Sequence, residues 1–292
     1  MTEHLVPVIR RSVLYLPATN ERALTKARQL PADVLIFDLE DSVSIDRKND
    51  ARIKIAAALG QDNFQPRECI VRVNGLDSGH FEADLDALVG LQLHGILVPK
   101  VYTTQDVKRI EQMLDARRLA ADIWIMAETA AGILNIGQIV FASSRISCVV
   151  VGTSDLAREL RIPLTPGRLG LLAALSTCVL AARSARVDVI DGVHIDIKDE
   201  RGFAKSCEQA RNLGFDGKSL IHPSQIDICN ATFTPNNKEI ERARRVVDAF
   251  HEAQTRGDGV TTVDGQLVEA LHVTEAQRVL ELRKIIDARI QA

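Results

Sequence analysis

The chain predicts an α/β fold of the TIM (β/α)8 barrel type, with a C-terminal helical extension or lid. Three observations carry that reading. Short apolar runs of strand length alternate with stretches of helical spacing over residues 1–235. About eight such pairs fit the length that a parallel barrel needs. Polar residues gather just after the apolar runs, at the end where barrel enzymes place their chemistry. A doubly wound open sheet is the competing architecture, but no G-x-G-x-x-G follows the first run and there is no P-loop.

Taken in order, Ser12 to Pro17 is an apolar run closed by proline, and Asn20 to Leu30 continues with helical spacing. Val34 to Asp38 reads as a second, buried strand entering the acidic cluster Asp38, Glu40, Asp41, followed by an Ala-rich, basic helix from Arg47 to Leu59. Cys69 to Gly75 is a third strand carrying Arg72 and Asn74 at its end, with a helix from Phe81 to Val89. Gly95 to Lys100 is the fourth strand, and the fifth ends at Glu128. The sixth precedes Asp155, with a helix from Leu169 to Arg183 beyond. Val189 to Gly192 and Lys218 to Pro223 supply the seventh and eighth. Residues 236–292 read as an amphipathic helix from Asn237 to Glu252, a hairpin about Asp264-Gly265, and a final helix from Val273 to Ala288. This tail looks too small for a core of its own, and is expected to pack on the barrel or to reach another subunit.

Composition narrows the partners. With 292 residues and 46% hydrophobic content, the chain can bury one large barrel. A net charge of −3 and 4% aromatic residues give no reason to expect nucleic acid or an anionic membrane. Five scattered cysteines without C-x-x-C spacing indicate neither a disulfide framework nor a zinc site. Met1 to His4 begins no secretory signal, and nowhere is there an uncharged run of about 18 residues. The expectation is a soluble, cytoplasmic protein.

Two stretches deliver a carboxylate to a strand end. Ile123 to Ala127 is apolar until Glu128, and Cys148 to Ser154 is uncharged until Asp155. In a barrel both would open on one face, and oxygen-only ligands there suit a hard cation such as Mg²⁺. The same residues also suit a helix cap and a turn.

The motifs in order resemble the citrate lyase beta subunit-like, or HpcH/HpaI aldolase, family, and within it the CoA-ester lyases. They are Arg11-Ser-Val-Leu-Tyr-Leu-Pro17, Ala32-Asp-Val-Leu-Ile-Phe-Asp-Leu-Glu-Asp-Ser-Val43, Lys48 with Ala51-Arg52, Val71-Arg-Val-Asn-Gly75, Val98-Pro-Lys100, Ala127-Glu-Thr-Ala-Ala-Gly132, Gly152-Thr-Ser-Asp-Leu156 and Gly214 to Gln225. The resemblance implies a TIM barrel, Mg²⁺ as cofactor, a homo-oligomer (trimer or hexamer) and a lid donated to a neighbouring subunit. It implies that Glu128 and Asp155 ligate Mg²⁺, that Arg72 binds substrate, and that Asp38, Glu40 and Asp41 lie near the metal's waters. It places Tyr15, Arg22 and Lys26 where relatives hold CoA, with Ile221 and His222 near that end of the pocket. Two departures stand out. Pro17-Ala18 replaces the usual Pro-Gly, and Glu269 stands where the lid normally carries an acid/base aspartate.

The implied reaction is Mg²⁺-dependent cleavage of a 3-hydroxy-carboxyacyl-CoA, malyl-CoA or citramalyl-CoA, to acetyl-CoA and a small 2-oxo acid. Arg72 would stabilise the enolate oxygen, and Glu269 would protonate the carbon. Glu128 would bind substrate through the metal, and Glu40 and Asp41 would join the catalytic set. Alternatives are a (3S)-malyl-CoA thioesterase, since the longer Glu269 either still reaches or shifts the reaction toward hydrolysis, and a citrate lyase beta subunit acting on a citryl-carrier protein. Each residue also has a plain reading: the acids hold loops, Arg72 pairs with one of them, Arg22 and Lys26 are solvated charges, and His222 is a loop histidine.

Overall fold

In a computed structural model that describes residues 8–61 and 64–291, the chain forms two compact units. Met1 to His4 lie outside the described residues. The first unit, residues 10–233, is a closed barrel of eight parallel strands in sequential order. Its elements are β1 (Ser12–Pro17), α1 (Glu21–Ala27), β2 (Val34–Asp38), α2 (Lys48–Gln61), β3 (Glu68–Arg72), α3 (Phe81–Leu88), β4 (Gly95–Val98), α4 (Thr104–Ala116), β5 (Asp122–Ala127), α5 (Ala130–Ile139), β6 (Ile146–Val151), α6 (Thr153–Glu159), α7 (Leu172–Ala185), β7 (Asp188–Asp191), α8 (Glu200–Leu213), β8 (Gly217–Leu220) and α9 (Ile226–Phe233). The predicted barrel is therefore the fold.

The strands are apolar on both faces because each face has a layer to meet. Val13, Ile36, Ile70, Leu97, Trp124, Val150 and Ile190 point inward and fill the barrel, while the alternate residues pack with the helices in a separate cluster. Closure depends on Gly217, because a Cβ there would collide with the Arg10 carbonyl oxygen. Only glycine lets the backbones approach so closely at that seam.

The N-terminal end of the barrel is plugged by Arg10. Its guanidinium donates to Glu68 at 2.8 and 2.7 Å, to Asp188 at 2.9 Å and to the Ser147 carbonyl at 3.1 Å. It also lies 4.7 Å from the centre of the Trp124 ring. The guanidinium is buried and its two acids partly so, and they hold one another in place.

The second unit holds α10 (Asn237–Thr255), the hairpin β9 (Thr261–Val263) and β10 (Gln266–Val268), and α11 (Ala270–Gln291). Asp264 and Gly265 take φ of 52° and 76°, the left-handed pair that a two-residue hairpin turn requires. Contrary to the expectation from sequence, this tail has its own apolar cluster of Ala243, Val246, Phe250, Val263, Val268 and Ala276. The final helix is longer than its spacing suggests, and two long helices with a hairpin bury one another's apolar faces. All five cysteines are buried and free, and among the described residues no helix is long and apolar enough to cross a membrane.

The plug makes a stability prediction. Arg10→Met should cost up to about 3–5 kcal/mol, because it strands two partly buried carboxylates. Adding Glu68→Gln and Asp188→Asn should recover much of that loss, and denaturant unfolding of the single and triple variants checks both.

Candidate active site

At the opposite end, the strands and the loops after them enclose a cavity of about 400 Å³. Tyr15, Asp38, Asp41, Arg72, Met126 and Asp155 are among its walls. Arg72, the last residue of β3, donates from Nε and Nη2 to the two oxygens of Asp38 at 2.7 Å each, a bidentate pair closed by the last residue of β2. The register explains the meeting, since Asp38 and Arg72 are direct partners across β2 and β3. Asp38 also accepts the backbone N–H groups of Glu40 and Ser42, so its position is set from both sides. Arg72 Nη1 lies 3.0 Å from Glu40 Oε2 and 3.9 Å from Asp41, and the guanidinium stacks 4.8 Å from the centre of the Tyr15 ring.

Glu128 is the first residue after β5, and it is not the helix cap. Thr129 caps α5 by accepting the Gly132 N–H at 3.0 Å. Glu128 Oε1 instead accepts the Lys100 N–H at 3.0 Å, and its Oε2 is buried without a hydrogen-bond partner. Asp155 sits in the first turn of α6, where Arg158 donates to it. Gly152 leaves the space between, since a Cβ there would come within 2.8 Å of Glu128 Oε2.

The environment sorts the acids. Burial works to raise the Asp38 carboxyl, but the hydrogen bonds and charge of Arg72 outweigh it and hold the group below the usual range. For Glu40 burial prevails over the Arg72 charge and the Lys100 bond, and its pKa rises. Burial, with the charges of Glu40 and Asp155 nearby, pushes Glu128 up to about 8. Burial also lifts the Tyr15 phenol, whose hydroxyl is buried without a hydrogen-bond partner and so remains a neutral donor.

The other residues singled out from sequence lie apart. Arg22 and Lys26 are exposed on α1 and line neither this cavity nor its neighbour. Ile221 lines the cavity, whereas His222 caps a short turn by accepting the Ser224 N–H at 3.2 Å. Glu269 is half-buried in the second unit, at the start of α11. Lys100, quoted within a motif but given no role from sequence, bridges two of the acids. A lysine directly after a strand-ending proline was the available signal. A second cavity of about 530 Å³ shares Asp41 with the first and is lined by Glu40, Lys48 and Lys100.

Comparison with known proteins agrees with this geometry. The profile of the HpcH/HpaI aldolase/citrate lyase family matches residues 11–223. The (3S)-malyl-CoA thioesterase of Cereibacter sphaeroides is 45% identical over 278 residues, covering 95% of this chain and 96% of the relative. Citrate lyase subunit beta of Escherichia coli is 36% identical over 287 residues, covering 96% and 95%. The solved structure of CitE from Mycobacterium tuberculosis in complex with magnesium, acetoacetate and coenzyme A superposes with a TM-score of 0.79 at 27% identity, over 96% of this chain and 100% of that one. The strand-end motifs, the closed barrel and these relatives agree, and the chain belongs to the HpcH/HpaI aldolase/citrate lyase family of enzymes.

Proposed function

We propose that the protein is a Mg²⁺-dependent enzyme that hydrolyses the CoA thioester of a 3-hydroxy carboxylic acid of the malyl type, releasing the free acid and CoA. The observation that carries this reading is the Arg72 guanidinium, locked by Asp38 in a cavity that Asp155 also lines. The 45% identity to a (3S)-malyl-CoA thioesterase supports the choice of substrate and reaction.

The residues fit a magnesium ion. Glu128 has a buried oxygen with no hydrogen-bond partner, a side chain at Gly152 would crowd that oxygen, and the available donors are carboxylates. Among the described residues no three His, Cys, Asp or Glu side chains form a ready metal cage. Mg²⁺ takes one or two carboxylates and fills its shell with water and substrate oxygens. Glu128 and Asp155 would hold the ion, which would supply positive charge to polarise substrate oxygens.

The chain's own groups do the rest. Arg72 cannot lose its proton, and its tethered fork meets negative charge growing on the thioester carbonyl oxygen. Tyr15 offers a second, neutral donor to the same cavity. Glu40, with a raised pKa, takes the proton of the attacking water, while Asp41 stands exposed where the two cavities meet. Arg22, Lys26 and His222 would meet the CoA portion. Glu269 would act across a homo-oligomer, as a lid acid from a neighbouring subunit.

The second reading is carbon–carbon cleavage to acetyl-CoA and a 2-oxo acid, with Arg72 stabilising the enolate. The 36% identity to citrate lyase subunit beta favours it, and through that relative a citryl-carrier substrate.

A product assay with malyl-CoA and both citramalyl-CoA stereoisomers, with Mg²⁺ and with EDTA, separates the readings. Metal-dependent release of free CoA and malate is expected. Glyoxylate or pyruvate with acetyl-CoA would establish the lyase instead, and inactivity on every ester would point to a carrier protein. Arg72→Met should lower kcat at least about 100-fold.

The buried acid makes a pH prediction. The Glu128 pKa rises from an ordinary 4.5 to about 8 in the folded, metal-free protein. Between those values the unfolded chain gives up a proton that the folded chain keeps. Stability is therefore lost as pH rises, by about 1.4 kcal/mol per unit for this group alone. Metal-free Glu128→Gln should unfold at a higher temperature than the parent at pH 8, match it near pH 4.5, and gain nothing from added Mg²⁺. Thermal unfolding with EDTA or Mg²⁺ across that range is the check.

A further inference from the structure

Lys100 follows Val98-Pro99 at the end of β4 and has a φ of 55°. That left-handed conformation costs a residue other than glycine about 1–2 kcal/mol. The conformation accompanies two bonds made by one residue. The backbone N–H reaches Glu128 Oε1 at 3.0 Å, and Nζ reaches Glu40 Oε1 at 2.6 Å. The two acids lie 28 and 60 positions away in sequence, beyond the ends of β5 and β2. Each gives its Oε1 to Lys100; Glu128 Oε2 is buried without a hydrogen-bond partner, and Glu40 Oε2 is buried against the Arg72 guanidinium at 3.0 Å.

We infer that Lys100 is a positioning residue with two separable tasks: its backbone N–H orients Glu128 for the cation, and its ammonium orients Glu40 beside Arg72 for the chemical step. The inference rests on the proposed function and names a device within that site. Arg72 already commits Nε and Nη2 to Asp38, and its Nη1 faces Glu40 Oε2 at 3.0 Å. Released from Lys100, Glu40 could swing both oxygens onto that Nη1 edge and occupy the donors that the substrate needs. Holding Oε1 at the Lys100 ammonium keeps Glu40 presenting one oxygen only. Strained backbone is retained where surrounding groups over-determine it, and here the Lys100 N–H is held by Glu128 and its ammonium by Glu40, beyond the ends of two different strands.

The test separates the tasks. Lys100→Met keeps the backbone N–H and its φ, and removes only the ammonium. Calorimetric titration with Mg²⁺ alone should give an affinity within about threefold of the parent, while kcat on malyl-CoA falls between about 10- and 100-fold with little change in KM. Lys100→Arg should restore most of kcat, and it serves as the reading should the Met variant fail to fold. In a Glu40→Gln background, Lys100→Met should cause no further loss, because the lysine acts through that glutamate. An unchanged kcat in Lys100→Met, a joint loss of Mg²⁺ affinity and kcat, or additive losses with Glu40→Gln would each overturn the inference. A parent protein that neither binds Mg²⁺ nor turns over any of the esters would overturn the proposed function instead.

Discussion

The pairing of Arg72 with Asp38 organises the mouth of the barrel. Two strands in register bring a cation and an acid side by side, and the bidentate bond removes the guanidinium's freedom to follow other charges. Glu40 then sits against the remaining edge of that fork, Tyr15 lies under its face, and Lys100 holds Glu40 from the far side. Asp38, Glu40 and Tyr15 thus all meet one guanidinium. Preorganisation of this kind is what an electrostatic site needs, since no reorientation remains at the moment of reaction.

The two ends of the barrel use the same parts for opposite purposes. At the bottom, Arg10 lies 4.7 Å from an aromatic ring centre and pairs with two acids; at the mouth, Arg72 lies 4.8 Å from another and does likewise. Below, both oxygens of Glu68 are occupied and the charges close a plug. Above, the hydroxyl of Tyr15 and one oxygen of Glu128 remain buried without hydrogen-bond partners, while Glu40 Oε2 meets the Arg72 guanidinium at 3.0 Å. Such groups cost stability when nothing meets them. Buried polar atoms without hydrogen-bond partners also occur beside the plug, at Trp124 Nε1 and Ser147 Oγ, so both ends carry this cost.

Hydrolysis and carbon–carbon cleavage make similar demands on this site. Both develop negative charge on the thioester oxygen, and both need a fixed cation there. They differ in the proton that must move: a water must be deprotonated in one, a carbon protonated in the other. In the proposed hydrolysis Glu40, in the barrel unit, would take the first proton, whereas the second reading would call on Glu269, which belongs to the other unit.

Much of this was readable in the residues themselves. The alternation of apolar runs and helical spacing set the barrel, because strand and helix periodicity are local properties of the chain. The ordered motifs identified the family and singled out Arg72, Glu128 and Asp155. Local pattern could not say that Thr129 rather than Glu128 caps α5, or that residues 234–291 bury a cluster of their own, since both depend on what folds back to meet them. Lys100 shows the limit most clearly. Its identity is plain in the sequence, but its task comes from a left-handed backbone and two acids 28 and 60 positions away. Sequence determined which strand ends carry charge; only barrel closure decided which charges meet, because register and curvature are set by every strand at once.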